Sequence, residues 1–150
     1  MWTPFNFLVG SWQGSGTGQP GAGQYLRSYE FILNHNFLHV RNKSTYPPTE
    51  QYPNGEVHED WGFISYDKSR KAYIYRQFHI EGFVNQYILE SVSPDLKSFS
   101  FISEAIENIS AGWRAKESYL VVSADEFIET FALSEPGKDF EIYTECHLTK

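Results

Sequence analysis

Gly10-Ser11-Trp12-Gln13-Gly14-Ser15-Gly16-Thr17-Gly18 is the stretch that decides the fold. In an extended chain successive side chains alternate, so Trp12, Gly14, Gly16 and Gly18 share one face. Glycines stacked on one face let a strand bend sharply and let a neighbour or a ligand approach its backbone. Glycines 14, 16 and 18 are not a dinucleotide fingerprint, because their alternate spacing differs from it and no helix follows. The run therefore reads as a bent first strand over Ser11 to Gly18.

Upstream of it, Thr3 before Pro4 has the chemistry of a helix N-cap with proline in the first turn, which predicts a short helical turn over Pro4 to Val9. Such a turn is placed to plug one end of a barrel. Downstream, runs rich in Tyr, Phe, Val, Ile and Thr recur to the end of the chain. They cover Gln24–Leu33, Phe37–Tyr46, His58–Tyr66, Lys71–Ile80, Phe83–Glu90, Ser98–Glu107, Trp113–Val122, Glu126–Leu133 and Asp139–Leu148. Turn chemistry separates them: Asn34-His35-Asn36, Pro47-Pro48 with Asn54-Gly55, Asp67 to Arg70, Glu81-Gly82, Ser93-Pro94-Asp95, and Glu135-Pro136-Gly137-Lys138. Connections this short join antiparallel neighbours, and none has room for a crossover helix. The predicted fold is all-β: one domain over residues 1–150, an antiparallel up-and-down barrel of about ten strands. Closure removes the edges that so many aromatic-rich strands would otherwise expose. A barrel of this strand number is wide enough to hold a small ligand.

Composition narrows the partners. A net charge of −7 with no basic cluster beyond Lys68-Ser69-Arg70-Lys71 argues against nucleic acid. No apolar run approaches the roughly 20 residues of a membrane-spanning helix. The beginning of the sequence has no basic stretch followed by an apolar one, and the single cysteine, Cys146, excludes an intrachain disulfide framework. These features lead to the expectation of a cytoplasmic protein with no nucleic-acid or membrane partner. Acidic and aromatic outer faces leave a homodimer open as its assembly.

Polar residues embedded in apolar strands are the candidates for a site: His39, Arg41, His58, Asp60, Arg76, Gln77, His79, Asn85, Gln86, Glu104, Arg114 and Glu117. Alternation puts Tyr73, Tyr75, Gln77 and His79 on one face of their strand and Ile74, Arg76, Phe78 and Ile80 on the other. With Ile74 and Ile80 beside it, Arg76 is expected to face inward. The five histidines lack metal-site spacing, and no Ser, His and Asp or Cys and His arrangement has nucleophile geometry, since Cys146 and His147 fall on opposite faces. Glu104 and Glu117 on adjacent strands could pair as carboxylates, with surface charge as the simpler reading.

The predicted function is non-enzymatic binding of a small hydrophobic or amphipathic molecule. Trp12, Trp61 and Tyr75 are the expected apolar wall, and Arg76, His79, Gln86, Glu104 and Arg114 the expected polar contacts. An arginine at that place suits a carboxylate through a bidentate contact.

The opening stretch, from Phe7-Leu8-Val9-Gly10 through Trp12, Gly14, Gly16 and Gly18, resembles the first strand of nitrobindin-like, fatty-acid-binding-protein-like barrels of the calycin group. Tyr29-Glu30-Phe31, Phe37-Leu38 and His58-Glu59-Asp60-Trp61-Gly62-Phe63 are similar to that family's next strands. The second half, with Arg76-Gln77-Phe78-His79 and Gly82-Phe83-Val84-Asn85-Gln86-Tyr87, looks more like its lipocalin-like bacterial relatives. The resemblance implies a ten-stranded barrel and, as an alternative function, a b-type haem with nitric oxide or peroxynitrite chemistry, held by a histidine near the C-terminus. Here that histidine is His147, the haem axial ligand if one is bound. Alternation, however, groups His147 with Glu141 and Glu145, opposite Phe140, Ile142, Thr144, Cys146 and Leu148. No cofactor is expected from the residues themselves.

Overall fold

The computed structural model describes residues 1–150. Ten strands form one closed antiparallel barrel: β1 (Gly10–Gly18), β2 (Gly23–Ile32), β3 (Phe37–Tyr46), β4 (Glu56–Asp67), β5 (Ala72–His79), β6 (Val84–Val92), β7 (Ser98–Glu107), β8 (Arg114–Ser123), β9 (Glu126–Ser134) and β10 (Glu141–Thr149). Each strand pairs with its neighbours in sequence, and β10 returns to β1. The expected all-β, up-and-down architecture is what the chain adopts.

The glycines of β1 explain the closure. A Cβ on Gly14, Gly16 or Gly18 would lie 1.7, 2.2 or 2.1 Å from the carbonyl oxygens of His147, Glu145 and Tyr143 respectively. At this seam β10 sits against bare backbone, an approach that a side chain on β1 would block.

Before β1 the chain makes a single short 3-10 turn, Asn6–Leu8. The sequence predicts a cap at Thr3, but no side chain caps the turn. Instead the Trp2 carbonyl accepts from the backbone N–H groups of Phe5 and Asn6. Leu8 and Phe5 are fully buried here, so the turn does plug the barrel.

The plug defines two ends. At its end lie the inward residues from the first half of β1, β3, β5, β7 and β9 and from the last half of the even strands. They include Trp12, Tyr29, Leu38, Val40, Ile64, Phe99, Phe101, Tyr119, Phe127 and Leu148, all in one buried cluster. Rings meet edge to face, with Trp12 and Phe127 4.8 Å apart between centroids and Phe5 and Phe99 5.3 Å apart. The Trp12 indole N–H donates to the Leu8 carbonyl at 2.7 Å and ties the plug to the first strand. The opposite end is ringed by the connections after β1, β3, β5, β7 and β9. There the barrel interior changes character.

Candidate functional site

Moving from the plug toward the open end, the inward positions of successive strands change from apolar to polar about halfway along. On β2 Tyr29 gives way to Arg27, on β3 Val40 to Asn42, and on β4 Ile64 to Asp60 by way of Gly62. On β5 Tyr75 is followed by Gln77 and His79, and on β6 Tyr87 by Asn85. On β8 and β9, Tyr119 and Phe127 precede Glu117 and Glu129. Beyond this polar layer one side of the wall turns apolar again, with Phe83, Ile106, Ile109, Phe131, Leu133 and Tyr143, while Ser44, Glu56, His58 and Glu81 keep the rest polar around a cavity of about 410 Å³. That volume is within the range of small-molecule pockets.

The floor is held by hydrogen bonds. The Arg27 Nε donates to Glu129 Oε2 at 3.0 Å, with both side chains buried. The remaining Arg27 nitrogens turn to the Leu26 carbonyl at 3.1 Å and toward the Cys146 sulfur at 3.9 Å. Asp60 Oδ1 accepts from Asn42 Nδ2 at 2.7 Å and from Gln77 Nε2 at 2.8 Å. The chain continues from the Tyr87 hydroxyl to Gln77 Oε1 at 3.2 Å, and from Asn85 Nδ2 to that hydroxyl at 2.9 Å. His79 Nε2 lies 3.2 Å from Asn85 Nδ2, an arrangement that suits the neutral ring with Nε2 accepting. At the mouth His58 sits between the carboxylates of Glu56 and Glu81.

Two buried polar atoms facing this space have no partner: Glu117 Oε2 and Asn42 Oδ1. They sit on residues only 4% and 7% exposed; Asn42 Oδ1 is an acceptor, and Glu117 belongs to a carboxyl beside Glu129.

Electrostatics follows from this packing. Burial, reinforced by the neighbouring Glu129 charge, pushes the Glu117 carboxyl well above the usual carboxylate range. Burial likewise raises Asp60, although Arg27 and His79 oppose it, and lowers His79. Burial would lower Arg27, but the surrounding charges together, Glu129 foremost and Asp60 among them, outweigh it and keep the guanidinium protonated. The Cys146 thiol is pushed up to about 12 by burial and by Glu129, so it is an inert core group.

The barrel wall divides the residues that the sequence singled out. His79 lines the cavity, as do His58, Asp60, Gln77, Asn85 and Glu117. Trp12 and Tyr75 point inward but belong to the packed aromatic layer, Trp12 beside the plug and Tyr75 below the floor, with 2% and 1% of their surface exposed. Trp61 and Arg76 face solvent. The expected inward Arg76 fails because Trp61 and Phe78, directly paired across β4 and β5, make an apolar pair on the outer wall. Apolar neighbours therefore do not mark the interior face of β5. Gln86 donates to Glu104 Oε1 at 3.2 Å on the outside, and Glu104 also accepts from Arg70 Nη1 at 3.0 Å. Glu104 is the extra residue of a bulge between Gln86/Ala105 and Tyr87/Ser103, so it cannot pair with the inward Glu117. Arg114 is at the outer rim, donating to the Ser134 hydroxyl at 3.1 Å and lying over the Phe140 ring.

His147 is on the outer face too, 3.2 Å from Glu145. An axial ligand must face the pocket, so His147 does not fit the role that the family resemblance implies for it. The predicted face of β10 is corrected in one respect. A bulge at Tyr143 reverses the alternation, so Thr144, Cys146 and Leu148 are buried while Ile142 is 59% exposed. No three His, Cys, Asp or Glu side chains converge to hold a metal ion.

Arg27, Asn42 and Glu129 are site residues that the sequence does not single out. Arg27 and Glu129 each interrupt an aromatic face, in Tyr25-x-Arg27-x-Tyr29 and Phe127-x-Glu129-x-Phe131. That pattern is a usable signal, but Ile74-x-Arg76-x-Phe78 has a similar form on an outer face. Only the pairing register separates them.

No protein-family model matches the chain, and no curated protein sequence matches it. In fold it is similar to the crystal structure of Rv2717c from M. tuberculosis, with a TM-score of 0.72, 14% identity, and coverage of 99% of this chain and 96% of that one. A redesigned β-barrel (TM-score 0.47, 13% identity, 96% and 91% coverage) and a de novo designed fluorescence-activating β-barrel (TM-score 0.44, 14% identity, 100% and 99% coverage) are more distant. These likenesses concern the fold alone.

Proposed function

We propose that this chain is a binding barrel that takes one small amphipathic molecule into its open half. The observation that carries the reading is a cavity whose floor is polar and incompletely hydrogen-bonded and whose walls above it carry an apolar strip of Phe83, Ile106, Ile109, Phe131 and Leu133. A site built only for stability would leave no buried acceptor unpaired, since each costs about 1–3 kcal/mol. The aromatic half is already filled, so it supports the site without enlarging it. Membership of the nitrobindin-like, calycin-type barrels is consistent with the glycine-bent first strand, and the binding reading does not depend on it.

The test is fluorescence titration with N-phenyl-1-naphthylamine, a neutral apolar probe. Wild type is expected to bind one equivalent saturably. Two cavity-filling variants, Ala115→Trp on the wall above Glu117 and Ile109→Trp at the mouth, are expected to weaken binding by about tenfold or more while far-ultraviolet dichroism stays that of a folded barrel. Absence of saturable binding, or equal affinity in folded variants and wild type, rejects the reading.

The alternative, haem binding through His147, is disfavoured by the outward placement of that side chain. Hemin titration is expected to give no Soret change that His147→Ala removes.

A further inference from the structure

The cavity reading leaves the ligand's polar end open, and on that reading the floor has a definite preference. Three carboxyl groups, Asp60, Glu117 and Glu129, line the floor with only one permanently cationic side chain, Arg27. That guanidinium is already committed to a carboxylate. Its Nε holds Glu129 at 3.0 Å, Nη1 donates to the Leu26 carbonyl and Nη2 faces the Cys146 sulfur, so its charge is matched within the floor before any ligand arrives.

The unpartnered atoms point the same way. Glu117 Oε2 and Asn42 Oδ1 are both buried and both on residues that line the cavity. Asn42 Oδ1 is an acceptor, and the Glu117 carboxyl, protonated beside Glu129 in the free protein, becomes one on giving up that proton to the solvent as a cation binds. The two floor donors to Asp60, from Asn42 and Gln77, fall on a single oxygen, Oδ1. A ligand that completes this floor must bring hydrogen-bond donors, and positive charge is favoured over negative. The mouth repeats the sign, because Glu56 and Glu81 flank His58 there. The absence of any converging metal-type trio directs the choice to an organic cation rather than a metal ion.

We propose that the cavity recognises an alkyl or aryl amine in its ammonium form, with the nitrogen on Glu117 and Asn42 and the apolar body against Phe83, Ile106, Phe131 and Leu133. A fatty-acid carboxylate, the ligand that an inward Arg76 would have suited, meets three carboxyl groups and a single guanidinium already paired with Glu129.

Isothermal titration calorimetry with octylammonium and with octanoate separates the possibilities. Octylammonium is expected to bind at one site and roughly tenfold or more tightly than octanoate, the scale of one hydrogen bond to a charged group. Glu117→Gln should weaken octylammonium by about the same factor, and Glu30→Gln, an exposed carboxylate at the plugged end of β2, should not. Octanoate binding as tightly as octylammonium, or full octylammonium affinity in Glu117→Gln, overturns the amine assignment. If both chains bind equally and Ala115→Trp and Ile109→Trp weaken both, the amine assignment falls and the cavity reading stands. If neither binds, the amine assignment falls, and the neutral-probe titration decides the cavity reading by itself.

Discussion

The two ends of this barrel are made by the same ten strands with the same inward alternation, yet they are built on opposite rules. At the plugged end each inward position is aromatic or aliphatic, the rings interlock, and the one buried polar tie is the short Trp12 hydrogen bond to Leu8. Halfway along, the inward positions become Arg27, Asn42, Asp60, Gln77, Asn85, Glu117 and Glu129, and they leave space between them. An apolar core cannot gain stability from that change, because buried carboxyl groups are costly even when paired. The packed end supplies the stability that allows the open end to keep unsatisfied groups.

Substitutions at the two ends should therefore differ in kind. Phe127→Ala, which empties the centre of the aromatic layer, should cost about 3–5 kcal/mol in urea denaturation. Arg27→Met leaves Glu129 buried without its partner and should cost about 3 kcal/mol, much of it recovered in the Arg27→Met, Glu129→Gln double variant. Without that recovery, the ion pair is not what holds the floor together.

Glu117→Gln sharpens the contrast because its sign is opposite. A carboxyl whose pKa is raised by folding binds its proton more tightly in the folded state, so the stability it contributes is full below the ordinary glutamate range and is lost as pH rises through the raised value. Wild type should lose stability relative to Glu117→Gln as the pH is raised above about 4.5. At pH 8 the variant should be more stable by on the order of 1 kcal/mol. A residue whose replacement stabilises the fold while weakening a ligand is retained for the ligand. Parallel stability curves across that pH range would show that Glu117 ionises as an ordinary surface group. Arg76→Ala, on the outer wall, should change stability by less than about 0.5 kcal/mol and leave binding of the neutral probe intact.

The architecture is legible in the sequence because its signals are local. Turn chemistry at Asp67, where the carboxylate accepts from the Ser69 and Arg70 backbone N–H groups, and at Ser93 to Asp95 punctuates the chain at the hairpins. The glycines of β1 announce the bend, although the carbonyls of β10 that require it cannot be read from β1 alone. The site is legible only in part, because alternation gives two faces and does not say which is inside. His79, Asp60, Gln77, Asn85 and Glu117 stand out as embedded polar groups, but the sequence pattern places Arg76 in the interior ahead of Arg27. The deciding fact is non-local: Trp61 pairs with Phe78 outside, while Arg27 reaches Glu129 from far along the chain. Bulges at Glu104 and Tyr143 add a second difficulty, since each reverses the alternation within a strand that reads as regular.

The division of labour between the ends is tested most directly by a two-dimensional NMR titration with N-phenyl-1-naphthylamine. The side-chain amides of Asn42, Gln77 and Asn85 should shift together and saturate at one equivalent, while the backbone amides of Tyr29, Phe99 and Phe127 stay in place. Shifts confined to the outer wall around Trp61 and Phe78, or spread equally through the aromatic layer, would contradict it.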